Sequence, residues 1–325
     1  AMVAALLIAA VIGSEPEVAG GGGALSTARF TKLTNFPGEE IGAAISPSGE
    51  YLAFLSDERG TFDVHVGRVE SGGFENVTAE NPEAVVFAPK AFVQPLGFLP
   101  AGDGLWLKGG GGMRARKLRP LVGAGEVRNW LDVGTIHVDW SPDGRRYVYS
   151  LDNNGDPIFV GDADELVEAQ LVRPSPRGNH QHFPTWSTDG KWVFVVSGRP
   201  VTGEMDLYRM RPDGSNFEQL TSTIRNIMFP VPLDSRTVLF LGEDPDGAGP
   251  WLWDLDVETR EIRRAVRGFT PFLSLAASRE GKRLVATVAD PQVGLFVVPL
   301  HGAGRVATEA EVTPHPLRAV RALAP

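Results

Sequence analysis

The residues best placed to do chemistry are two histidines, His180 and His182, spaced i, i+2 so that they project to the same side of an extended strand. Two imidazoles joined by one or two carboxylates can hold Zn2+ or another borderline divalent ion, and such an ion can activate a water. Further polar groups come from equivalent places in an internal repeat. Glu39 aligns with His180 and Asn226, Ile41 aligns with His182 and Met228, and Glu40, His137 and Gln181 lie within one or two positions of the same ring. Three of the six histidines therefore gather at one level of the repeat. The candidate metal donors are His180, His182, His137 and Glu39, with Zn2+ or Ca2+ as the ion. The plainer alternative is a set of polar residues at a channel mouth that binds a ligand through hydrogen bonds, without a metal.

The elements that must carry these residues are read from the repeat. Ile45-Ser-Pro-Ser-Gly49, Trp140-Ser-Pro-Asp-Gly144 and Trp186-Ser-Thr-Asp-Gly190 each precede an apolar, β-branched or aromatic run. Worn copies follow at Pro232–Ser235 and Ala277–Gly281, and another fills the gap at Phe98–Gly104; from Gly144 onward the turns recur every 45–46 residues. Pro and Gly suit the tight turn, and runs such as Trp192–Val196 suit a strand. A third strand follows in each copy (Phe62–Val66, Met205–Arg209, Trp251–Leu255, Gly294–Val298), and a fourth, more polar one as in Phe217–Thr221. Four antiparallel strands per repeat of this length make one propeller blade. The expectation is an all-β, six-bladed propeller of four-stranded antiparallel blades spanning 29–313. The early segment Arg29–Thr34 supplies the outer strand of the last blade and closes the ring. An all-β domain of another topology would lack the constant step. Asp162–Gln170 is the one short helical candidate.

Composition narrows the function classes. The 325 residues carry a formal net charge of −9 and no cysteine. The acidic balance argues against a broad phosphate-binding face, so no nucleic-acid partner is expected. The missing cysteines exclude disulfide frameworks, thiolate metal sites and cysteine nucleophiles. No nucleophile elbow, zinc-protease helix, phosphate loop or dinucleotide fingerprint is present. Gly109–Gly112 reads as a loop, and the clusters Arg114/Arg116/Lys117/Arg119 and Arg260/Arg263/Arg264/Arg267 as solvated strand faces. The turn aspartates Asp143 and Asp189 and the third-strand Asp63 and Asp206 recur blade after blade, which marks them as architectural. Trp140, Trp186, Trp192, Trp251 and Trp253 are expected to pack between blades.

Before the repeats, Val3–Ile12 is apolar and uncharged, and Ala1 precedes Met2. As a helix it reaches about 18 Å, short of a hydrocarbon core of about 30 Å. Residues 1–13 are therefore expected to be a truncated membrane helix or a signal-like segment, with 14–28 a Gly-rich linker and 314–325 a tail toward a further domain.

Phe183-Pro-Thr-Trp-Ser-Thr-Asp-Gly-Lys-Trp192, with Met205-Asp-Leu-Tyr208 and Glu218-Gln-Leu-Thr221, resembles the repeat of TolB-like six-bladed propellers, over roughly residues 29 to 300. The chain departs from that pattern at Ile45 and in the second copy. Arg29–Glu40 and His180–Gly198 are similar to propeller ectodomains of membrane-tethered bacterial kinases or winged-helix regulators, some of which carry a second propeller after a segment like Pro314–Pro325. The resemblance implies a periplasmic or other extracytoplasmic binding or sensor domain that takes a protein, peptide or glycan at its channel mouth. Two alternatives stay open: a metal-dependent hydrolase of ester, lactone or phosphoester bonds, and an accessory propeller that gates a partner enzyme domain.

Overall fold

In the computed structural model, the described residues are 4–12, 25, 28–34, 36–79, 94–108, 114–121, 126–163, 169–175, 178–266, 271–279, 282–290, 295–297 and 313–315. They form an all-β propeller whose main elements are six four-stranded antiparallel sheets. Five sheets are blades built from one contiguous stretch of chain each. The first runs Glu40–Ile45, Tyr51–Ser56, Asp63–Arg68, Phe74–Asn76, and the second Leu96–Phe98, Leu105–Leu107, Arg114–Arg119, Glu126–Val133. The third is Thr135–Trp140, Arg146–Leu151, Ile158–Asp162, Gln170–Arg173. The fourth is His180–Trp186, Val193–Arg199, Glu204–Met210, Glu218–Gln219, and the fifth Arg225–Pro232, Thr237–Glu243, Trp251–Asp256, Ile262–Arg264. The first strand of each blade is the innermost, and these strands lie beside one another around an axis. The ring closes where Phe272–Ala277 packs against Glu40–Ile45.

Second strands carry the core. Val193, Val195 and Val196, and likewise Val238 to Leu241, are fully buried. A strand covered on both faces by neighbouring blades reads as a continuous run of β-branched and apolar residues, as these do. The turn between first and second strands is held by its serine. Ser187 Oγ donates to Asp189 Oδ1 (2.7 Å) and accepts the Trp192 amide (2.9 Å). Ser141 repeats this with Asp143 and Arg146. The third-strand aspartates have a recurring partner too. Thr221 Oγ1 donates to Asp206 (2.9 Å) and Thr78 Oγ1 to Asp63 (3.3 Å), tying the outer edge of each blade to its third strand. The turn and third-strand aspartates are therefore structural, as their repetition implies.

The sixth sheet departs from the sequence expectation. The repeats predict three strands of the sixth blade from the last copy and the outer one from Arg29–Thr34, but the last copy supplies only the two inner strands, Phe272–Ala277 and Arg283–Asp290. Ala4–Ile12 pairs antiparallel with Arg283–Asp290, from Ala4 opposite Asp290 to Val11 opposite Arg283, and Ala28–Lys32 lies outside it. The segment expected as a membrane helix or signal is thus a strand. The physical reason is the open edge of Arg283–Asp290, whose amides and carbonyls another extended segment satisfies and a helix does not. Leu295–Val297, expected as the third strand here, pairs instead with Thr313–His315. Ala28–Lys32 is the outermost strand that closes the ring, as the sequence predicts. Most of the linker, Gly109–Gly112, the centre of Asp162–Gln170 and residues beyond His315 lie outside the described residues. No helix among the described residues is long and apolar enough to cross a membrane.

Candidate functional site

The two ends of the axis differ in chemistry. At the end where the first strands begin, His180 and His182 project from the start of the fourth blade's inner strand. Both meet one carboxylate: Asp156 Oδ2 lies 2.7 Å from His180 Nδ1 and 2.8 Å from His182 Nε2. The His180 side chain is 43% exposed, that of His182 14% and that of Asp156 5%. Asp156 belongs to the loop joining the second and third strands of the third blade. Its own φ is +58°, and Gly155 before it has φ +89°. A Cβ on Gly155 would lie 2.6 Å from Ser175 Cβ and 2.8 Å from the Asn179 carbonyl. Only glycine lets this loop press against the segment that leads into His180.

The other residues expected in this constellation are distributed around it. His137 is buried, its Nδ1 is 3.0 Å from Ser150 Oγ, and its ring lies 5.7 Å from that of His182. It is a neighbour of the pair but not one of the three donors that converge. Glu39 is in the first blade, its amide bonded to Asp57 Oδ1 (2.5 Å), and burial together with the Asp57 charge raises its carboxyl above the ordinary glutamate value. Glu40 is buried and accepts Thr34 Oγ1 (2.8 Å). Gln181, on the opposite strand face, donates from Nε2 to the Arg173 carbonyl (3.4 Å). Asn226 donates to Glu243 Oε2 (2.7 Å). Of the four residues read from the sequence as candidate donors, the structure brings His180 and His182 together around Asp156, and Glu39 and His137 do not join that cluster. The clustered donors among the described residues are Asp156, His180 and His182.

Just inside this end a row of rings crosses neighbouring inner strands at one level. His137, Phe183 and Phe229 occupy one register, each one repeat step from the next. Ring centroids are 4.2 Å apart for His137–Phe183 and 4.6 Å for Phe183–Phe229. Phe183 and Phe229 have φ +52° and +48°, and the strand pairing slips at both. Gly42 holds the matching place in the first blade with φ +65°. These left-handed bulges turn the rings onto the axis.

Beyond the rings, where the first strands end, the axis opens into a cavity of ≈ 220 Å3. Its walls come from the inner strands of all six sheets and include Pro47, Pro100, Pro142, Pro230, Trp140 and Trp186. Trp140 and Trp186 border this cavity and also pack between blades as expected: Trp140 stacks on Trp130 of the second blade (ring centroids 5.4 Å apart), and Trp186 lies among Val148, Ile158 and Val193 with the Arg146 guanidinium 4.7 Å from its ring centre. Trp192 and Trp251 also lie under guanidinium groups, with Arg211 3.7 Å and Arg264 4.5 Å from their ring centres. The charged wall residues are Asp139 and Arg279. Asp139 Oδ2 accepts Thr185 Oγ1 and the Trp186 amide, both at 2.7 Å, which clamps the third blade to the fourth. Burial pushes its carboxyl above the ordinary aspartate value, while these bonds, the Trp140 amide and the Arg279 charge pull the other way. The late basic cluster, expected as a solvated strand face, is paired with acids over its described residues, with Arg260 on Glu218, Arg263 on Glu261 and Arg264 on Asp244, while Arg267 lies outside the described residues.

An all-β propeller with a polar donor cluster at one end of its axis and a cavity of mixed polarity at the other is the class that fold and site define. No family model matches the chain. An uncharacterized protein of Agrobacterium fabrum is 35% identical over 109 residues, 33% of this chain and 36% of that one, so the match spans about a third of the relative. Among solved structures, a putative TolB from Agrobacterium tumefaciens is similar with a TM-score of 0.65 at 20% identity, covering 90% of this chain and 100% of that one. TolB from Acinetobacter baumannii is similar with a TM-score of 0.55 at 14% identity, covering 88% of this chain and 64% of that one. At these identities the likeness is one of fold: the chain has a TolB-like β-propeller structure.

Proposed function

We propose that the protein is a non-catalytic, six-bladed recognition propeller, working outside the cytoplasm, that binds a protein or peptide segment in the axial cavity. The single observation that carries this reading is the cavity. Inner strands of all six sheets line it, prolines and tryptophans stand in its walls beside other apolar and polar residues, and one acid and one base are among them. Pockets for whole small-molecule ligands span about 300–1,000 Å3. A space of ≈ 220 Å3 is smaller and suits one inserted side chain of a partner, with Arg279 available to its backbone or charge. The extracytoplasmic placement rests on the TolB-like fold and on the sequence resemblance. A hydrolase has one observation in its favour, the Asp156–His180–His182 cluster, and that cluster lies at the other end of the axis.

Peptide display against the immobilised chain tests the reading, with enriched peptides measured by titration calorimetry against Ala277→Trp, which fills the cavity, and Arg279→Glu, which inverts its charge. Binding should weaken at least tenfold in Ala277→Trp. Peptides that bind both variants as well as the parent place recognition elsewhere, and a folded chain that enriches no peptide removes the reading.

A further inference from the structure

The geometry points to a Zn2+ site made by Asp156, His180 and His182, and we propose it as this protein's resident metal centre. It stands independently of the cavity, because the rings of Phe183 and Phe229 lie between the two ends. Three observations combine. The donors come from two blades but meet at one point, with Asp156 Oδ2 at 2.7 and 2.8 Å from the two ring nitrogens and all three ligand atoms within 4.8 Å of one another. The carboxylate is 5% exposed, so it is a costly group to place there without positive charge beside it. It is also delivered by two successive left-handed residues, Gly155 at φ +89° and Asp156 at +58°. Aspartate tolerates that conformation, and the glycine before it lets the turn present the carboxylate to both rings.

The fit to zinc follows from bond lengths. Tetrahedral Zn2+ with nitrogen and oxygen donors at about 2.0–2.2 Å sets its ligand atoms about 3.3 Å apart. Each oxygen–nitrogen contact need open by only about half an ångström to admit the ion, a movement that side-chain torsions supply. Two imidazoles and one carboxylate select a borderline ion. Ca2+, which takes six to eight oxygen donors, does not match this set. Three protein donors leave a fourth position, and the half-exposed His180 places it at the solvent-facing mouth. Water or a partner's donor atom fills it. His137 packs beside His182 and is engaged by Ser150, so it lies outside the donor set.

The test uses the full, untagged chain, stripped with EDTA and freed of chelator, then titrated with Zn2+ by calorimetry and with Co2+ by visible absorption. One Zn2+ per chain and an intense tetrahedral Co2+ spectrum are expected. His180→Ala, which removes a half-exposed side chain at the mouth, and Asp156→Asn should each weaken Zn2+ at least tenfold and abolish the Co2+ bands, while His315→Ala changes neither. A folded parent that takes up no stoichiometric Zn2+ overturns the site. So does uptake that survives both His180→Ala and Asp156→Asn, which would mark an adventitious ion only.

Discussion

Phe183 makes the inner-strand geometry measurable. Replace it with alanine and, separately, with glycine. Both remove a ring that is 6% exposed and packed at 4.2 Å and 4.6 Å centroid distance from His137 and Phe229. Losing such a side chain costs about 3–5 kcal/mol in either variant. The two differ in the backbone. At φ +52° a residue with a Cβ pays about 1–2 kcal/mol that glycine does not. Against this, glycine surrenders about 0.5–1 kcal/mol more chain entropy on folding. The left-handed term is the larger, so Phe183→Gly should be more stable than Phe183→Ala by about 0.5–1 kcal/mol. Phe194 is the control: it is 3% exposed and sits in the regular strand Val193–Arg199, where the ordinary order holds and alanine wins. Urea midpoints of the four variants, compared at equal m-value, read both differences directly. Alanine more stable than glycine at both positions would mean that the strand is regular at 183 and that the rings are not turned onto the axis.

Three further outcomes follow from the same structure. His65 is 2% exposed, stacked on Phe54 and tilted against Phe36, and burial holds its imidazole below the ordinary value despite the opposing pull of Glu58 and Asp63. Its contribution to stability is then complete above about pH 6.5 and drains away as pH falls through the depressed folded value, by up to about 1.4 kcal/mol per unit. His65→Phe should flatten that acid limb in urea midpoints taken from pH 8 to pH 5, and parallel profiles would refute it. Asp139 works in the other direction, because its folded value is raised. The stability it contributes is present below about pH 3.9 and is lost as pH rises through the folded value. The parent's advantage over Asp139→Asn should therefore shrink with rising pH and then level off; an advantage that grows would show that the Arg279 charge outweighs burial. Finally, amides of Arg283–Asp290 that face Ala4–Ile12 should exchange faster with deuterium in a chain lacking residues 1–13. Unchanged protection would make Leu295–Val297 the strand's partner instead.

Fold class was legible because a propeller repeats its local chemistry. In four of the six first turns a serine accepts the amide five residues on (Ser46, Ser141, Ser187, Ser278), and each blade needs one strand covered on both faces, so similar letters return at a fixed step. The ring closure was legible for a related reason: Arg29–Thr34 carries an outer-strand pattern with no blade before it. The third strand of the sixth sheet was not legible. Ala4–Ile12 and Gly294–Val298 are both short apolar runs, and the partner choice of an edge depends on register and chain reach, which periodicity does not encode. Apolar composition alone also does not separate a nine-residue strand from part of a helix.

The donor cluster shows where repeat alignment stops working. Aligning the copies finds His180, His182 and His137 because inner strands share one length and one register. Asp156 sits in the hairpin between second and third strands, and those hairpins differ: residues 152–157 in the third blade, 200–203 in the fourth, 244–250 in the fifth. No register carries a loop residue across copies of unequal length. A geometric rule would still have found it. Blades consecutive in sequence are neighbours in space, and the second-to-third hairpin rises at the same end as the start of the next inner strand. A carboxylate for the His180–His182 pair should thus be sought in the hairpin one blade upstream, Asp152-Asn-Asn-Gly-Asp-Pro157. That segment holds two acids, and the one that follows glycine stands where a left-handed turn can deliver it. The same rule assigns Glu39 the wrong partner blade, since two blades stand between it and the histidines.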